Sequence, residues 1–235
     1  MKRNILFGAM ILAAGTVLAA DLKDEITSAA KKLADKDNYG WKQTTENAGG
    51  GGFGGGASEG KALKDGLVWV SMPGRDNTTI EAFRKGEKGA VKTQDGWQSI
   101  AELTADQNAG PGRFVAMRFR NFKAPALQIQ DLATKVKELK KDGDALASDL
   151  TEEGAKSLLS FGGRGGGNGP EISGAKGSVK IWIKDGLLAK YALKVKGTVS
   201  FNGNDREIDR TTTVEIKEIG STKIEVPAEA KQKLE

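Results

Sequence analysis

The part of the sequence that most restricts the fold lies between residues 178 and 226, where apolar and polar side chains alternate. Val179, Ile181 and Ile183 are separated by single polar or aromatic residues, and the same period continues in three further segments. A period of two residues is typical of strands that bury one face, and glycine-containing turns separate the segments. The pattern therefore predicts a four-stranded antiparallel meander with one apolar and one charged face.

The loops of this meander follow from the need to keep apolar side chains on one face. A slip of one residue in the register would turn every side chain to the opposite face. We therefore expect three-residue loops at 184–186 and 218–220 and a four-residue loop after Phe201. The expected partners are Ile183 with Leu187, Ile181 with Ala189, Val179 with Tyr191, Val199 with Ile208, Ile216 with Thr222 and Val214 with Ile224.

The first part of the chain mixes helical and strand patterns. The spacing predicts an amphipathic helix at Leu22–Lys36, followed by strands between Tyr39 and Ile100. A second helix is expected from Pro125, in its first turn, to a C-terminal cap at Gly143. A short strand then precedes a helix capped by Thr151.

Two glycine-rich stretches, at about 48–60 and 161–170, are expected to be surface loops. The sequence FGGRGGGNG in the second stretch could in principle cradle phosphate or bind RNA. A phosphate cradle, however, lies between a strand and a helix and ends in Lys-Ser or Lys-Thr, which is absent here. A single arginine is a weak RNA-binding signal, and glycine-rich segments behave as flexible coil.

The first twenty residues have the layout of a secretory signal peptide. Lys2 and Arg3 precede an apolar stretch that ends in small residues, and we expect cleavage after Ala19 or Ala20. No cysteine follows, so we expect no lipid anchor. The domain division is therefore a signal peptide at 1–20 and a single exported domain at 21–235, in the periplasm or outside the cell.

Composition excludes several function classes. The chain has no histidine and no cysteine, which removes imidazole catalysis, thiol nucleophiles, disulfides and the usual zinc, haem and copper sites. Loss of Lys2 and Arg3 lowers the net charge from +5 to +3, too little for a nucleic-acid footprint. We expect a monomeric protein without catalytic residues, metal or cofactor, and without a nucleic-acid partner.

The segment Gly177–Ala230 resembles the LolA/LolB-like superfamily of periplasmic lipoprotein carriers, which includes LppX-like proteins. A strand containing tryptophan, an Asp-Gly turn, a long strand and a final strand leading to Val-Pro follow one another in KGSVKIWIKDGLLAKYALKVKGTV and TVEIKEIGSTKIEVPAEA. The resemblance implies an α+β fold that is mainly antiparallel β, an unclosed half-barrel whose concave face is covered by helices. It also implies a pocket for acyl chains between sheet and helices.

Two binding functions and one catalytic function remain open. The first is an exported carrier of lipid or lipoprotein acyl chains, and the second is an envelope interaction or sensing domain on the same fold. An enzyme would need converging carboxylates, and Asp149, Glu152 and Glu153 are explained by the helix dipole. The hypothetical ligand-lining residues are Val179, Ile181, Ile183, Tyr191, Leu193, Val195, Phe201 and Val214.

The segment 112–123, GRFVAMRFRNFK, interleaves cations with three phenylalanines. Such a segment can contact an anionic membrane or a lipid headgroup. It can equally be a packed helix or strand whose long cationic side chains reach solvent. Transient contact with a membrane surface or an envelope protein is therefore among the expected partners.

Overall fold

A computed structural model describes residues 13–48, 56–74, 78–106, 108–160, 170–201 and 203–235. These residues form eleven strands and six helices. The strands are β1 (Asn38–Asn47), β2 (Gly56–Leu63), β3 (Leu67–Pro73), β4 (Thr79–Lys85), β5 (Lys88–Thr93), β6 (Gly96–Ser99), β7 (Lys140–Asp142), β8 (Ala145–Asp149), β9 (Glu171–Lys184), β10 (Leu187–Phe201) and β11 (Asn204–Lys217). The helices are α1 (Ala13–Ala34), α2 (Ile100–Ala105), α3 (Gly110–Arg120), α4 (Pro125–Leu132), α5 (Glu152–Leu159) and α6 (Ala228–Gln232).

All eleven strands belong to one antiparallel sheet with the order β6-β5-β4-β3-β2-β1-β11-β10-β9-β8-β7. The sheet consists of two meanders, β1 to β6 and β7 to β11, which are joined where β1 pairs with β11. Strands β6 and β7 are the two edges, so the described sheet does not close. The predicted fold class, an unclosed and mainly antiparallel half-barrel with helices on one face, is confirmed.

The helices cover one face of the sheet because of the order of the strands. Residues 100–139 connect one edge strand, β6, to the opposite edge strand, β7, and this connection contains α2, α3 and α4. Helix α1 packs against α4 and against β10. We call the covered side of the sheet, which carries Val179, Tyr191 and Val214, the inner face; these three side chains share one core cluster with Ile26 of α1 and Ile129 of α4.

The opposite side of β3 to β6, the outer face, carries a second and smaller core. Phe83 and Ala90 are buried there beside the partly buried Trp69 and Trp97. The C-terminal segment covers them with Ile224, Val226, Ala230 and Leu234. Strands β3 to β5 are therefore buried on both faces, which explains apolar runs such as LVWV in β3.

The C-terminal segment corrects the prediction of a fourth strand at 222–226. No strand forms there, because β1 occupies the edge of β11 and pairs Trp41 with Ile216. Thr222 instead donates its backbone N–H to the Asn38 side chain at 2.7 Å. The predicted pairings of Ile216 with Thr222 and of Val214 with Ile224 are therefore wrong.

The predicted loops of the meander are also wrong, although the predicted face is right. Asp185 and Gly186 form a two-residue turn, and Leu188 pairs with Ile183. The register then shifts at a bulge between Leu188 and Lys190, so that Tyr191 pairs with Ile181. The bulge keeps the apolar side chains on one face, as the longer loop was expected to do. Because of the shifted register, Leu193 and not Tyr191 lies opposite Val179. The turn after Phe201 is likewise short, and it places Val199 opposite Arg206 instead of Ile208.

Helix α4 ends at Leu132 and does not continue to Gly143. The backbone N–H of Lys137 donates to the Asp149 carbonyl at 2.8 Å, and Val136 forms an isolated bridge with Leu150. Pairing with the segment that follows β8 thus replaces helical hydrogen bonds, and a β-branched residue such as Val136 favours that outcome. Gly143 has a φ of 64° in the two-residue turn between β7 and β8.

Two boundaries near the N-terminus differ from the sequence-based expectations. Helix α1 begins at Ala13, within the segment predicted to be a signal peptide. Strand β2 begins at Gly56, so part of the first predicted glycine-rich loop is sheet; residues 49–55 and 161–169 lie outside the described residues. Within the described part of the chain, no helix combines the length and apolar character needed to cross a membrane.

Candidate functional site

The structure brings together the predicted ligand-lining residues. Six of the eight are at most 4% exposed and belong to one cluster on the inner face: Val179 and Ile181 of β9, Tyr191, Leu193 and Val195 of β10, and Val214 of β11. Ile183 is partly buried and packs against the same cluster. The side chain of Phe201 lies outside the described residues. That these residues line a ligand-binding site stays a prediction.

Pairing across the central strands explains why these side chains meet. Tyr191 lies opposite both Ile181 of β9 and Val214 of β11, and Leu193 lies opposite Val179. Side chains of directly paired residues project to the same face of a sheet. The three longest strands therefore contribute one continuous apolar surface beneath the helices.

Helix α4 covers this surface and is attached to it by polar groups. The Tyr191 hydroxyl donates to Gln128 Oε1 at 2.5 Å. Burial raises the pKa of Tyr39 to about 12, and a hydrogen bond to the Ala126 backbone opposes that rise only partly. Burial also raises the pKa of Tyr191 well above its usual range, and the neighbouring Tyr39 acts in the same direction. Both phenols are therefore neutral hydrogen-bonding groups at physiological pH.

The segment between α3 and α4 is attached through aromatic stacking. The Phe122 and Trp41 rings are stacked with their centroids 6.2 Å apart, and Phe119 lies 5.8 Å from Phe122. The Arg84 guanidinium of β4 donates to the Phe122 carbonyl, and burial lowers the pKa of Arg84. Residues 112–120 of this segment are helical, and the burial of Phe119 agrees with the packed helix that was one of the two sequence-based alternatives.

One end of the inner face is polar. Thr45 of β1 pairs with Thr212 of β11, and their hydroxyl oxygens lie 3.4 Å apart. Thr45 is only 6% exposed, and the Gln43 side chain reaches its hydroxyl at 3.5 Å. Along β1 the inner face therefore carries the Gln43 amide beside Val214 and the Thr45 hydroxyl beside Thr212, while the facing residues of β10 are apolar.

One arginine lies beside these hydroxyls on β11, and a second, on α3, is near enough for its charge to act on the first. Arg210 of β11 is paired with the buried Val195, so its side chain projects from the inner face. Its Nη2 donates to the Leu158 carbonyl near the end of α5 at 2.8 Å. Arg118 of α3 has a large exposed surface, yet the surrounding protein desolvates its guanidinium and lowers its pKa.

The two arginines interact electrostatically. Burial, and after it the positive charge of Arg118, lowers the pKa of Arg210. Every ion pair in the described part of the chain uses lysine as its cation. The described carboxylates therefore leave Arg118 and Arg210 without an acidic partner, and Asp76 is the only carboxylic side chain of the sequence outside the described residues.

Sequence reasoning named Arg118 within segment 112–123 but did not single out Arg210 or Thr212. The sequence did contain a signal for them, because both residues lie an even number of positions from Val214 and therefore face the same side of the strand. A cation at an inward-facing position of an alternating strand is uncommon unless it is paired or functional.

Comparison with solved structures gives low sequence identity over most of the chain. The Mycobacterium tuberculosis lipoprotein LppX is 11% identical, with 87% of this chain and 98% of that chain covered and a TM-score of 0.49. LprF from Mycobacterium bovis is 9% identical, with 90% and 98% covered and a TM-score of 0.46. A LolA superfamily protein from Nitrosomonas europaea is 9% identical, with 88% and 94% covered and a TM-score of 0.33.

Sequence comparisons add no relative, since no family model matches the chain and no curated protein matches it significantly. The solved structures above include a member of the superfamily that Gly177–Ala230 resembles in sequence. This chain is similar to those three proteins over most of its length.

Proposed function

We propose that this protein binds one lipid-like ligand on its inner face and carries it outside the cytoplasm. The observation that carries this proposal is the division of the inner face into an apolar part around Tyr191 and Val214 and a polar part around Thr45 and Thr212. The Thr45 and Thr212 hydroxyls are each other's partners, so their burial costs little, and they supply polar groups beside the apolar surface. An amphiphile matches both parts.

The same proposal assigns acyl-chain contacts to the predicted lining residues. Apolar side chains from β9, β10 and β11 supply most of the surface, as is usual for small-molecule sites with a few polar groups. The cover consists of separate short helices, and α4 is linked to β10 through Tyr191 and Gln128. A ligand that displaces α4 would exchange this contact for burial of its own chain.

We further propose an exported, non-enzymatic and monomeric protein with a cleaved signal peptide and no lipid anchor. Lys2 and Arg3, the apolar stretch after them and the small residues Ala19 and Ala20 support export. The resemblance of Gly177–Ala230 to periplasmic carriers supports lipid or lipoprotein acyl chains as the ligand. Delivery of such a ligand involves transient contact with a membrane surface or an envelope protein.

Native mass spectrometry of the exported protein, purified without detergent, tests this function. We expect an acyl-bearing species bound at one copy per protein, and lipid extraction identifies it. An apo mass together with no uptake of added monopalmitoylglycerol would overturn the proposal.

A substitution distinguishes a lined site from a filled core. Val195→Phe adds volume to the inner face, so it should abolish ligand uptake at nearly unchanged stability if a ligand occupies that space. In a filled core the same change would lower the free energy of unfolding by about 1–3 kcal/mol. Lys194→Phe, which adds a similar side chain on the opposite face of β10, is the control.

An interaction or sensing domain is the second candidate function. The cover exposes the apolar side chains of Met117 on α3 and Leu127 on α4, which are 37% and 53% exposed. Exposed apolar groups of this size can mark contact with another protein. An apo mass in the experiment above would make this the leading function.

A further inference from the structure

We propose that Arg118 and Arg210 bind the anionic headgroup of the carried amphiphile, so that the ligand class is an acyl chain with a phosphate or carboxylate group. This inference rests on the proposed function, because Arg210 lies on the same inner face, two residues from Thr212. It adds the charge of the ligand, which the apolar residues leave undefined.

The position of Arg210 supports such a site. The residue is paired with Val195, one of the predicted lining residues, and it lies two residues from Thr212 on the same face of β11. One of its N–H groups is occupied by the Leu158 carbonyl. A guanidinium has five N–H donors in a planar arrangement, so four remain, and two of them can bind a phosphate or carboxylate together.

The second arginine makes the site electrostatically unfavourable when no ligand is bound. Arg118 and Arg210 carry like charges in a partly desolvated region, where repulsion is stronger than in bulk water. The described carboxylates form ion pairs with lysines such as Lys196 and Lys123, and not with these arginines. An oxyanion between the two guanidinium groups would remove the repulsion and satisfy their donors.

The neighbouring hydroxyls extend the polar surroundings of the site. On β11, Thr212 lies between Arg210 and Val214 on the same face, and it is paired with Thr45 of β1. Along β11 the order is therefore the apolar Val214, the hydroxyl of Thr212 and the cation of Arg210, while the paired residues Leu193 and Val195 of β10 stay apolar. This is the order of acyl chain, glycerol or sugar linker and phosphate in many anionic lipids.

The test compares two amphiphiles with the same chain, palmitoyl lysophosphatidic acid and neutral monopalmitoylglycerol, by calorimetric titration at physiological ionic strength. We expect the anionic ligand to bind at least about tenfold more tightly, since hydrogen bonds to charged groups contribute that much. Arg118→Gln and Arg210→Gln should each remove most of this difference, because the neutral headgroup of monopalmitoylglycerol carries no charge for a guanidinium to bind.

Arg120→Gln is the matched control, because Arg120 is also exposed on α3 and the substitution removes the same charge. It should change either affinity by less than about twofold, as expected for a screened surface charge. Equal loss in Arg120→Gln and Arg118→Gln would overturn the specific site. Arg118 is exposed, so its variant tests the inference even if Arg210→Gln does not fold.

Inorganic phosphate alone separates the remaining outcomes. Equal binding of both amphiphiles by the wild-type protein overturns the anionic site and leaves the proposed function standing. Binding of neither amphiphile overturns the proposed function; if phosphate then binds in an Arg118-dependent manner, the anion site stands with a free oxyanion as its ligand. If phosphate fails to bind as well, the site is overturned.

Discussion

The Tyr191 hydroxyl and Gln128 Oε1 lie 2.5 Å apart, and this hydrogen bond connects a central strand of the sheet to helix α4 of the cover. Tyr191→Phe removes the donor and leaves a half-buried amide oxygen unpaired. We expect the free energy of unfolding to fall by about 1–2 kcal/mol, as for other bonds broken in this way. Urea denaturation followed by circular dichroism measures the change.

The double variant Tyr191→Phe/Gln128→Leu is the control for this bond. It removes both partners, so it should be closer in stability to the wild type than Gln128→Leu and Tyr191→Phe would be if their effects added. Strict additivity of the two single changes would show that the bond contributes nothing to holding α4 on the sheet.

The two tyrosines of the chain predict an alkaline limit of stability. The pKa of Tyr39 is about 12 in the folded protein, whereas an unfolded tyrosine has a pKa of about 10. The unfolded state therefore loses its phenolic proton first as the pH rises. Stability should be retained below about pH 10 and then fall by about 1.4 kcal/mol per pH unit for this tyrosine alone.

Absorbance of tyrosinate measures this behaviour directly. Because Tyr39 and Tyr191 are both buried, the absorbance should rise together with the loss of secondary structure. In Tyr39→Phe the decrease of stability with pH should be shallower, which isolates the contribution of this tyrosine. Tyrosinate formation near pH 10 in a protein that keeps its secondary structure would contradict the prediction.

Gly60 allows Trp41 to lie flat across the neighbouring strand. The two residues are paired between β1 and β2, and a Cβ atom at Gly60 would lie 2.1 Å from the indole ring. Gly60→Ala should therefore displace the ring and lower the free energy of unfolding by about 1–3 kcal/mol. Thermal or urea unfolding of the variant measures the loss.

A second background identifies the cause of that loss. In Trp41→Leu the indole is gone, so the added Gly60→Ala change should cost much less than it does in the wild type. A cost that is the same in both backgrounds would mean that the loss comes from the strand backbone and not from the ring.

The turn between β9 and β10 depends on two residues with positive φ. Asp185 has a φ of 53° and Gly186 a φ of 71°, as in a type I′ turn. Gly186→Ala should lower the free energy of unfolding by about 1 kcal/mol, because a Cβ atom is unfavourable in this conformation. Asp185→Asn should leave stability unchanged, since asparagine tolerates it. Equal losses in both variants would contradict the turn geometry.

The inner face of β9 to β11 could be predicted from the sequence, whereas its loops could not. Alternation fixes which side chains share a face, and a bulge near Ala189 preserves that parity as well as a longer loop would. The two solutions differ only in local backbone geometry, to which the alternation of apolar residues is insensitive.

Competition between distant segments explains the other errors. The stretch 222–226 has the pattern of a strand, but Asn38–Asn47 takes the same edge of β11 and is longer. The spacing of Ile129 and Leu132 predicts a helix correctly, but Val136 forms a β-bridge with Leu150 instead of continuing that helix. Neither competitor is close in sequence.

The apolar part of the candidate site was therefore predictable, and its polar end was not. Val179, Leu193 and Val214 stand out by hydrophobicity, whereas Arg210 lies among several charged residues of β11, most of which point to the opposite face. That direction depends on a register set by β1 and β10.

The pairing of β1 with β11 also has a kinetic consequence. Gly40 lies opposite Lys217, so the two meanders become one sheet only after nearly the whole chain is available. Contacts of such long sequence separation slow folding, because a large loop must close before they form. A nascent chain that stops short of β11 can form two separate half-sheets, in which β1 and β10 are unpaired edge strands. The last strand to be synthesised is the one that joins them.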